Sequence, residues 1–134
     1  MKKLVFSILA SAVLAIPVCA QSVTVVADVP FGFVAGDATM PAGQYTVGVS
    51  AASVTVALAG PGLQTHFLIS NSDYSEPSSE RPELIFHQYG NQYFLEEIRT
   101  PTGSRELPMS HMEIEVKKTA SAGSASEKIV LAMR

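Results

Sequence analysis

The 134-residue chain contains no tryptophan and a single cysteine, Cys19, and only 16% of its residues are charged. One cysteine cannot form an intramolecular disulfide, which excludes a small fold stapled by disulfides. The nine Lys and Arg residues are outnumbered by twelve Asp and Glu residues, so the chain lacks the basic balance that nucleic-acid binding needs. Because 47% of the residues are apolar, wholesale disorder is excluded as well.

The first twenty residues have the pattern of a secretory signal peptide. Lys2 and Lys3 form a positive start, and the apolar stretch Leu4–Val18 follows them. Small residues then mark a cleavage site between Ala20 and Gln21. This order of features predicts a signal peptide over residues 1–20.

A membrane anchor and a lipoprotein leader are the alternatives to cleavage after residue 20. The apolar stretch is shorter than the roughly 20 residues that cross a bilayer, and Pro17 interrupts it. Lipidation of Cys19 stays open as the less favoured alternative, because the branched Val18 stands where lipoprotein processing prefers a small residue. We therefore expect a single cysteine-free domain over residues 21–134, exported to the periplasm or outside the cell, with no membrane span after leader removal.

The remainder of the chain alternates apolar and polar residues in short runs that turn residues separate. Tyr45–Val49 and Val54–Leu58 show the period of two that is typical of half-buried strands. Gly60-Pro61-Gly62 marks a reversal between such runs, as Met40-Pro41-Ala42-Gly43 does. The spacing predicts an all-β domain of about seven or eight strands, either a small β-sandwich or a closed barrel.

The strongest hairpin signal is Gly90-Asn91, which stands between the runs Leu84–Tyr89 and Gln92–Arg99. A two-residue turn there sets this register: Tyr89 opposite Gln92, His87 opposite Phe94 and Ile85 opposite Glu96. His87 and Glu96 then lie on one face of the hairpin as diagonal neighbours. Tyr89 and Tyr93 beside the hairpin tip are candidates for an exposed aromatic edge.

Two patterns overlap after Leu107-Pro108. Met112, Ile114 and Val116 alternate with charged residues as in a strand, whereas Ser110 and Glu113 have the spacing of a helical capping box. We favour a short helix over about residues 111–118. Further along, Lys128–Met133 is predicted to be a closing strand that is buried on both faces.

His87 and Glu96 form the main candidate for chemistry, because a His–carboxylate pair can bind a metal or act as a general base. His66 would join them only if its strand lay beside the hairpin. An ion pair on the sheet surface explains the same two residues more simply, and no second His stands at zinc-ligand spacing. We therefore assign no catalytic or cofactor-binding residue, no cofactor and no metal; His87, Glu96 and His66 are retained as weak candidates for a metal site.

Three blocks of the chain resemble a family of small exported bacterial proteins of unknown function. These blocks are Val29-Pro30-Phe31-x-Phe33-x-x-Gly36 with Pro41-Ala42-Gly43-x-Tyr45-x-Val47, Leu84 to Leu95, and Ser104-Arg105-Glu106-Leu107-Pro108. The resemblance implies export and one compact β-rich domain, and it brings no catalytic residues. In similar sequences the stretch after Leu107-Pro108 is more plainly helical.

Two functions follow as hypotheses. The first is a non-enzymatic β domain with a binding or structural role at the cell envelope or outside the cell, which binds a protein, a glycan or an apolar ligand through a sheet edge or an aromatic patch. The second is a small metal-assisted or general-base hydrolase centred on His87 and Glu96. The absence of any nucleophile motif favours the first hypothesis.

Overall fold

A computed structural model of the chain describes residues 22–50, 53–71, 74–75, 80–101, 103–120 and 126–134. The predicted signal peptide, with its cleavage site and Cys19, lies outside these residues. Within them the chain forms eleven strands and one α-helix. The strands are Ser22–Val29 (β1), Phe33–Ala35 (β2), Ala38–Met40 (β3), Gly43–Ser50 (β4), Thr55–Ala59 (β5), Thr65–Ile69 (β6), Tyr74–Ser75 (β7), Glu83–Tyr89 (β8), Gln92–Thr100 (β9), Gly103–Glu106 (β10) and Glu127–Ala132 (β11), and the helix is His111–Ala120 (α1).

The first sheet is antiparallel and has the order β1-β4-β5-β6, so the chain leaves this sheet for β2 and β3 between β1 and β4. β1 pairs with β4 over its full length, from Ser22 opposite Ser50 to Val29 opposite Gly43. The turn predicted at Gly60-Pro61-Gly62 is a short 3-10 segment, Pro61–Leu63, between β5 and β6. Gly60 is needed there because a Cβ atom on it would overlap the ring of the buried Tyr45.

The second sheet has the order β11-β8-β9-β10-β7, and the β2–β3 hairpin attaches to it through β9. That hairpin turns at Gly36, whose φ of 60° favours glycine, and Val34 pairs with Phe94 in the parallel sense. Helix α1 covers the outer face of this sheet, where Val116 and Ala120 pack against Tyr89 and Phe94. The molecule therefore has three layers, with the second sheet in the middle.

The main core lies between the two sheets and consists of the inward side chains of alternating strand positions. Phe33 links the layers, since its ring lies 5.2 Å from that of Tyr45 in the first sheet and 5.3 Å from that of Phe86 in the second. The buried Arg105 adds a polar link by donating to the carbonyl oxygen of Ser50 at 3.1 Å.

The architecture confirms the predicted all-β sandwich and decides against the closed barrel, because the strands form two open sheets. At one corner the backbones of Val26 and Arg134 exchange two hydrogen bonds and so link β1 to the segment after β11. Eight of the described strands have four or more residues, and the other three, β2, β3 and β7, have two or three. The predicted helix over 111–118 is present and extends to Ala120. No helix among the described residues is long and apolar enough to cross a membrane.

The closing strand differs from its prediction. Among the described residues β11 pairs only with β8, so it forms an edge of the second sheet. Ile129 and Leu131 are half-buried, whereas Val130 is 55% exposed. The expected burial on both faces is therefore wrong: three consecutive apolar residues do not make a central strand when only one face of that strand has a layer above it.

Candidate functional site

His87 lies on the outer face of the second sheet, and the β8–β9 hairpin positions it. The predicted pairs Tyr89–Gln92 and His87–Phe94 are present. The third predicted pair is wrong, because Ile85 lies opposite Glu97 and not opposite Glu96.

A β-bulge in β9 causes this difference. Phe86 pairs with Leu95 and Ile85 with Glu97, so Glu96 is an extra residue without a strand partner. The Glu96 carbonyl oxygen instead accepts a hydrogen bond from the Leu107 amide at 2.7 Å. The Glu96 side chain still lies on the same face of the sheet as His87, and its Oε2 lies 2.9 Å from His87 Nε2. The predicted neighbours therefore do touch.

Helix α1 supplies a second carboxylate that the sequence analysis assigned only to a cap. Ser110 Oγ accepts a hydrogen bond from the Glu113 amide at 3.1 Å, which is the N-cap half of the predicted capping box. The Glu113 carboxylate points down onto the sheet, where its Oε1 lies 3.0 Å from His87 Nδ1. The same oxygen accepts a hydrogen bond from the Tyr89 hydroxyl at 3.2 Å.

The imidazole of His87 is thus held between two carboxylates, one from the sheet and one from the helix. Glu113 is the more buried, with 5% of its side chain exposed. Glu96 also has a cation nearby, since Lys128 Nζ on β11 lies 3.6 Å from its Oε2. Each ring nitrogen of His87 therefore has a carboxylate oxygen as its neighbour.

The two contacts of His87 differ in quality. The contact with Glu113 has the geometry of a hydrogen bond. Glu96 Oε2 is buried and accepts no well-aligned hydrogen bond from any described residue, so its 2.9 Å contact with Nε2 is electrostatic rather than directional. The stronger link in the cluster therefore joins sheet to helix.

Tyr89 completes the cluster beneath α1. Burial raises the pKa of its phenol, and the nearby negative charge of Glu113 and the hydrogen bond to that carboxylate raise the pKa further. The hydroxyl therefore stays protonated as a donor to Glu113. Tyr89 also lines a groove of about 430 Å³ between the hairpin tip and α1, together with Val116 and Ala120.

His66 does not join this cluster. It lies on β6 in the first sheet, opposite Leu58, and lines a separate cavity of about 120 Å³ with Tyr45 and Pro61. Among the described residues no group of three or more His, Cys, Asp or Glu side chains is placed to hold a metal ion. Glu96 and Glu113 approach opposite nitrogens of one ring and so do not converge on a common point.

The aromatic edge expected at Tyr89 and Tyr93 is not exposed. Tyr89 is buried under the helix, and Tyr93 stacks on Phe31 with ring centroids 3.9 Å apart. The exposed aromatic residue lies on the opposite side of the molecule. Phe67 on β6 is 72% exposed, and Ile69 on the same strand is 70% exposed.

These two side chains stand on the outer face of the first sheet, which we call the bare face. The outward positions of its four strands alternate with the core positions and are occupied mostly by small uncharged residues: Ser22, Thr24, Val26 and Asp28 on β1, Gln44, Thr46, Gly48 and Ser50 on β4, Thr55, Ala57 and Ala59 on β5, and Thr65, Phe67 and Ile69 on β6. Asp28 is the one charged residue, and it pairs with Arg134 at the corner of the sheet at 2.8 Å.

The bare face was not predicted, although the sequence carries a signal for it. Residues 38–72 contain no Asp, Glu, Lys or Arg, while all 21 such residues lie elsewhere in the chain. Three of the four strands of the first sheet fall inside this run. The alternating pattern indicates that every second residue of these strands faces outward. Because the run contains no charged residue, this outward surface lacks the Lys, Arg, Asp and Glu side chains that usually cover a solvated surface.

Comparisons of the chain with protein-family models, with curated proteins and with solved structures each return no match.

Proposed function

We propose that the chain is an exported, non-enzymatic β domain that binds a protein partner at the cell envelope or outside the cell through the bare face and its edge strand β6. The observation that carries the proposal is the exposure of Phe67 and Ile69 on a sheet face whose only charged residue is Asp28. Exposed apolar patches mark interaction sites, and the centres of protein interfaces are depleted in charged residues and enriched in aromatic ones.

The leader supports the cellular part of this proposal. Its positive start, its apolar stretch and its small-residue cleavage site are those of a chain that crosses the inner membrane. The periplasm and the outside of the cell are both compatible with such a leader.

The His87 cluster supports a structural role over a catalytic one. A general base needs a ring nitrogen that can reach a substrate proton, and both nitrogens of His87 face carboxylates within 3.0 Å. The cluster also joins α1 to the second sheet, which is the work of a structural ion network. A hydrolase centred on His87 and Glu96 remains the competing hypothesis and is an outcome of the test below.

The test uses the full chain, expressed in a bacterium that exports it, with the photoreactive residue p-benzoylphenylalanine in place of Phe67. The matched control carries the same residue in place of Val130, which is also exposed but lies on the edge strand of the other sheet. We expect a light-dependent covalent adduct to a protein from position 67 and none from position 130, and we expect mass spectrometry to find an N-terminus at Gln21.

Three results would count against the proposal. A chain that stays in the cytoplasm with residues 1–20 intact would overturn the assignment of export. Adducts only to glycan, or equal adducts from positions 67 and 130, would overturn the assignment of a protein partner to the bare face. Turnover of a hydrolase substrate by the purified protein, lost in His87→Ala, would favour the hydrolase.

A further inference from the structure

The free edge of β6 presents a regular row of backbone hydrogen-bonding groups. In an antiparallel pair, alternate residues of a strand bond to the neighbouring strand and the residues between them point away from it. Gly60 and Gln64 form a bonded pair at one end of the β5–β6 ladder, and Val54 and Ser70 form one at the other end.

The pairing between these two ends fixes the direction of every group on β6. The register places His66 and Leu68 in the bonded series with Gln64 and Ser70. The N–H and C=O groups of Thr65, Phe67 and Ile69 therefore point to the open side of the sheet. Within the part of the chain that the structure describes, β6 pairs with β5 alone. The next residue of the outward series, Asn71, donates its amide to the carbonyl oxygen of Glu106 at 2.9 Å, so the open row ends at Ile69.

This edge lacks the features by which proteins usually prevent edge pairing. A protected edge carries a charged residue, a proline or a bulge, and Thr65–Ile69 contains none of these. The edge strand of the second sheet is different, because β11 carries Glu127 and Lys128. The three residues whose backbone groups are free on β6 are also the three whose side chains are exposed on the bare face.

We propose that the partner of β6 is the β6 strand of a second copy of this chain, paired antiparallel about a two-fold axis that passes beside Phe67. This inference rests on the proposed function and names the partner of the same surface. Phe67 lies opposite Phe67 of the second copy, and Thr65 lies opposite Ile69. The pairing satisfies about six backbone hydrogen bonds, two for each facing pair, and joins two four-stranded sheets into one continuous sheet.

The self-complementarity of the β6 edge and its lack of charged residues favour a second copy over an unrelated strand. A strand that has its free backbone groups on three residues centred on one position matches itself under a two-fold axis, and the central pair is aromatic with aromatic. Residues 21–134 contain seven Lys and Arg and twelve Asp and Glu, a net charge of 7 - 12 = -5, so two copies repel one another over most of their surfaces. The β6 edge is a place where the copies meet without opposing like charges.

The test is a charge exchange at the two-fold axis. Phe67→Glu and Phe67→Lys each place like charges opposite one another in a pair of identical copies, whereas a mixture of the two variants places opposite charges there. We follow the association of the exported full chain by sedimentation velocity from about 1 µM to about 500 µM. We expect the unsubstituted chain to dimerise, each variant alone to dimerise at least about tenfold more weakly, and the equal mixture to recover the dimer.

Val130→Glu is the matched control, because it adds the same charge at an exposed apolar position on the edge strand of the other sheet. We expect it to leave the dimer unchanged. Phe67 is mostly exposed and faces away from the core, so its variants should fold, and unchanged circular dichroism and urea midpoints check that they do. A mixture that does not recover the dimer, or a Val130→Glu variant that weakens it equally, overturns the two-fold pairing.

The outcomes separate this inference from the function on which it rests. An unsubstituted chain that stays monomeric over the whole concentration range, together with photoadducts from position 67 to a different protein, overturns the second-copy inference and leaves the proposed function standing. A monomeric chain without any photoadduct from position 67 overturns both. A photoadduct from position 67 with the mass of a second copy supports both.

Discussion

At the scale of single residues, Glu113 has two structural roles, and its position in the sequence indicates only one of them. Its backbone amide closes the cap of α1, and its carboxylate contacts the ring of His87 and the hydroxyl of Tyr89. One side chain therefore serves the start of a helix and the interface between that helix and a sheet. Buried groups that share a single acceptor depend on it strongly, because neither finds water when the acceptor is lost.

We predict that Glu113→Gln lowers the free energy of unfolding by about 1–3 kcal/mol. The amide has the shape of the carboxylate but not its charge, so the charge-assisted contact with His87 is lost and Tyr89 donates to a weaker acceptor. Urea denaturation at neutral pH measures the change. Glu115→Gln is the control, since Glu115 lies on the same helix but is exposed and pairs only with the exposed Lys118 at 3.2 Å.

The control should change stability by less than about 0.5 kcal/mol, as exposed ion pairs generally do. If the two substitutions lowered the free energy of unfolding equally, the loss would come from the charge pattern of α1 itself and not from the contact of Glu113 with the sheet.

At the scale of elements, the sequence predicted what local patterns determine. The Gly90-Asn91 turn fixed the first pairs of the hairpin, and the Ser110–Glu113 spacing indicated the start of α1. The bulge at Glu96 was not predictable, because the amide that meets its carbonyl oxygen belongs to Leu107, beyond the next turn of the chain. Local pattern gives the elements, and contacts between distant segments decide their irregularities.

The candidate site also has a part that local pattern predicted and a part that depends on contacts between distant segments. His87 and Glu96 were found together because one hairpin carries both. The contact of His87 with Glu113 was not found, because it depends on where α1 packs, and nothing in the local pattern of residues 111–118 states which face of which sheet they cover. The exposed position of Phe67 was missed for a related reason, since an aromatic residue in a strand is expected in a core and only the layer arrangement leaves the bare face uncovered.

The stability of α1 as an element should depend on its cap. Ser110→Ala removes the acceptor of the Glu113 amide and should cost about 1 kcal/mol. Because the cap residue also sets the position of Glu113, amide hydrogen exchange should become faster in α1 while β4 and β5 remain protected. Ser110→Asn keeps a capping oxygen and should behave as the unsubstituted chain does. Equal protection of α1 in Ser110→Ala would show that packing alone holds the helix.

At the scale of the whole molecule, the two faces of the sandwich have different chemistry. The second sheet carries the charges, a helix and the His87 cluster on its outer face, whereas the bare face carries Asp28 alone. The core between them is continuous, since Phe33 contacts aromatic rings of both sheets. A destabilising substitution on either face should therefore lower the free energy of unfolding of the entire domain, which unfolds cooperatively.

We predict that the free energy of unfolding falls as the pH rises above about 10. Burial raises the pKa of Tyr45, and burial together with Glu113 raises the pKa of Tyr89, so the folded chain holds protons that the unfolded chain releases. The unfolded state binds fewer protons in this range, and the stability that these phenols contribute is present below pH 10 and lost above it. Urea midpoints between pH 8 and pH 11 should show the decline.

Tyr89→Phe and Tyr45→Phe have no phenol to ionise at these positions, so each should flatten the alkaline decline even if it changes stability at neutral pH. A decline of unchanged slope in both variants would assign the effect to other groups.

The distribution of charge along the chain also decides where proteases can act. Trypsin-like enzymes cut after Lys or Arg, and between Lys3 and Arg99 the chain contains only Arg81, which such enzymes do not cleave because Pro82 follows it. The whole first sheet, the β2–β3 hairpin and β8 therefore belong to one stretch without a cleavable bond. An opening of the first sheet therefore exposes apolar strands but no peptide bond for these enzymes, and beyond Lys3 their cleavage is confined to the bonds from Arg99 onward, in the part of the chain that carries β10, α1 and β11.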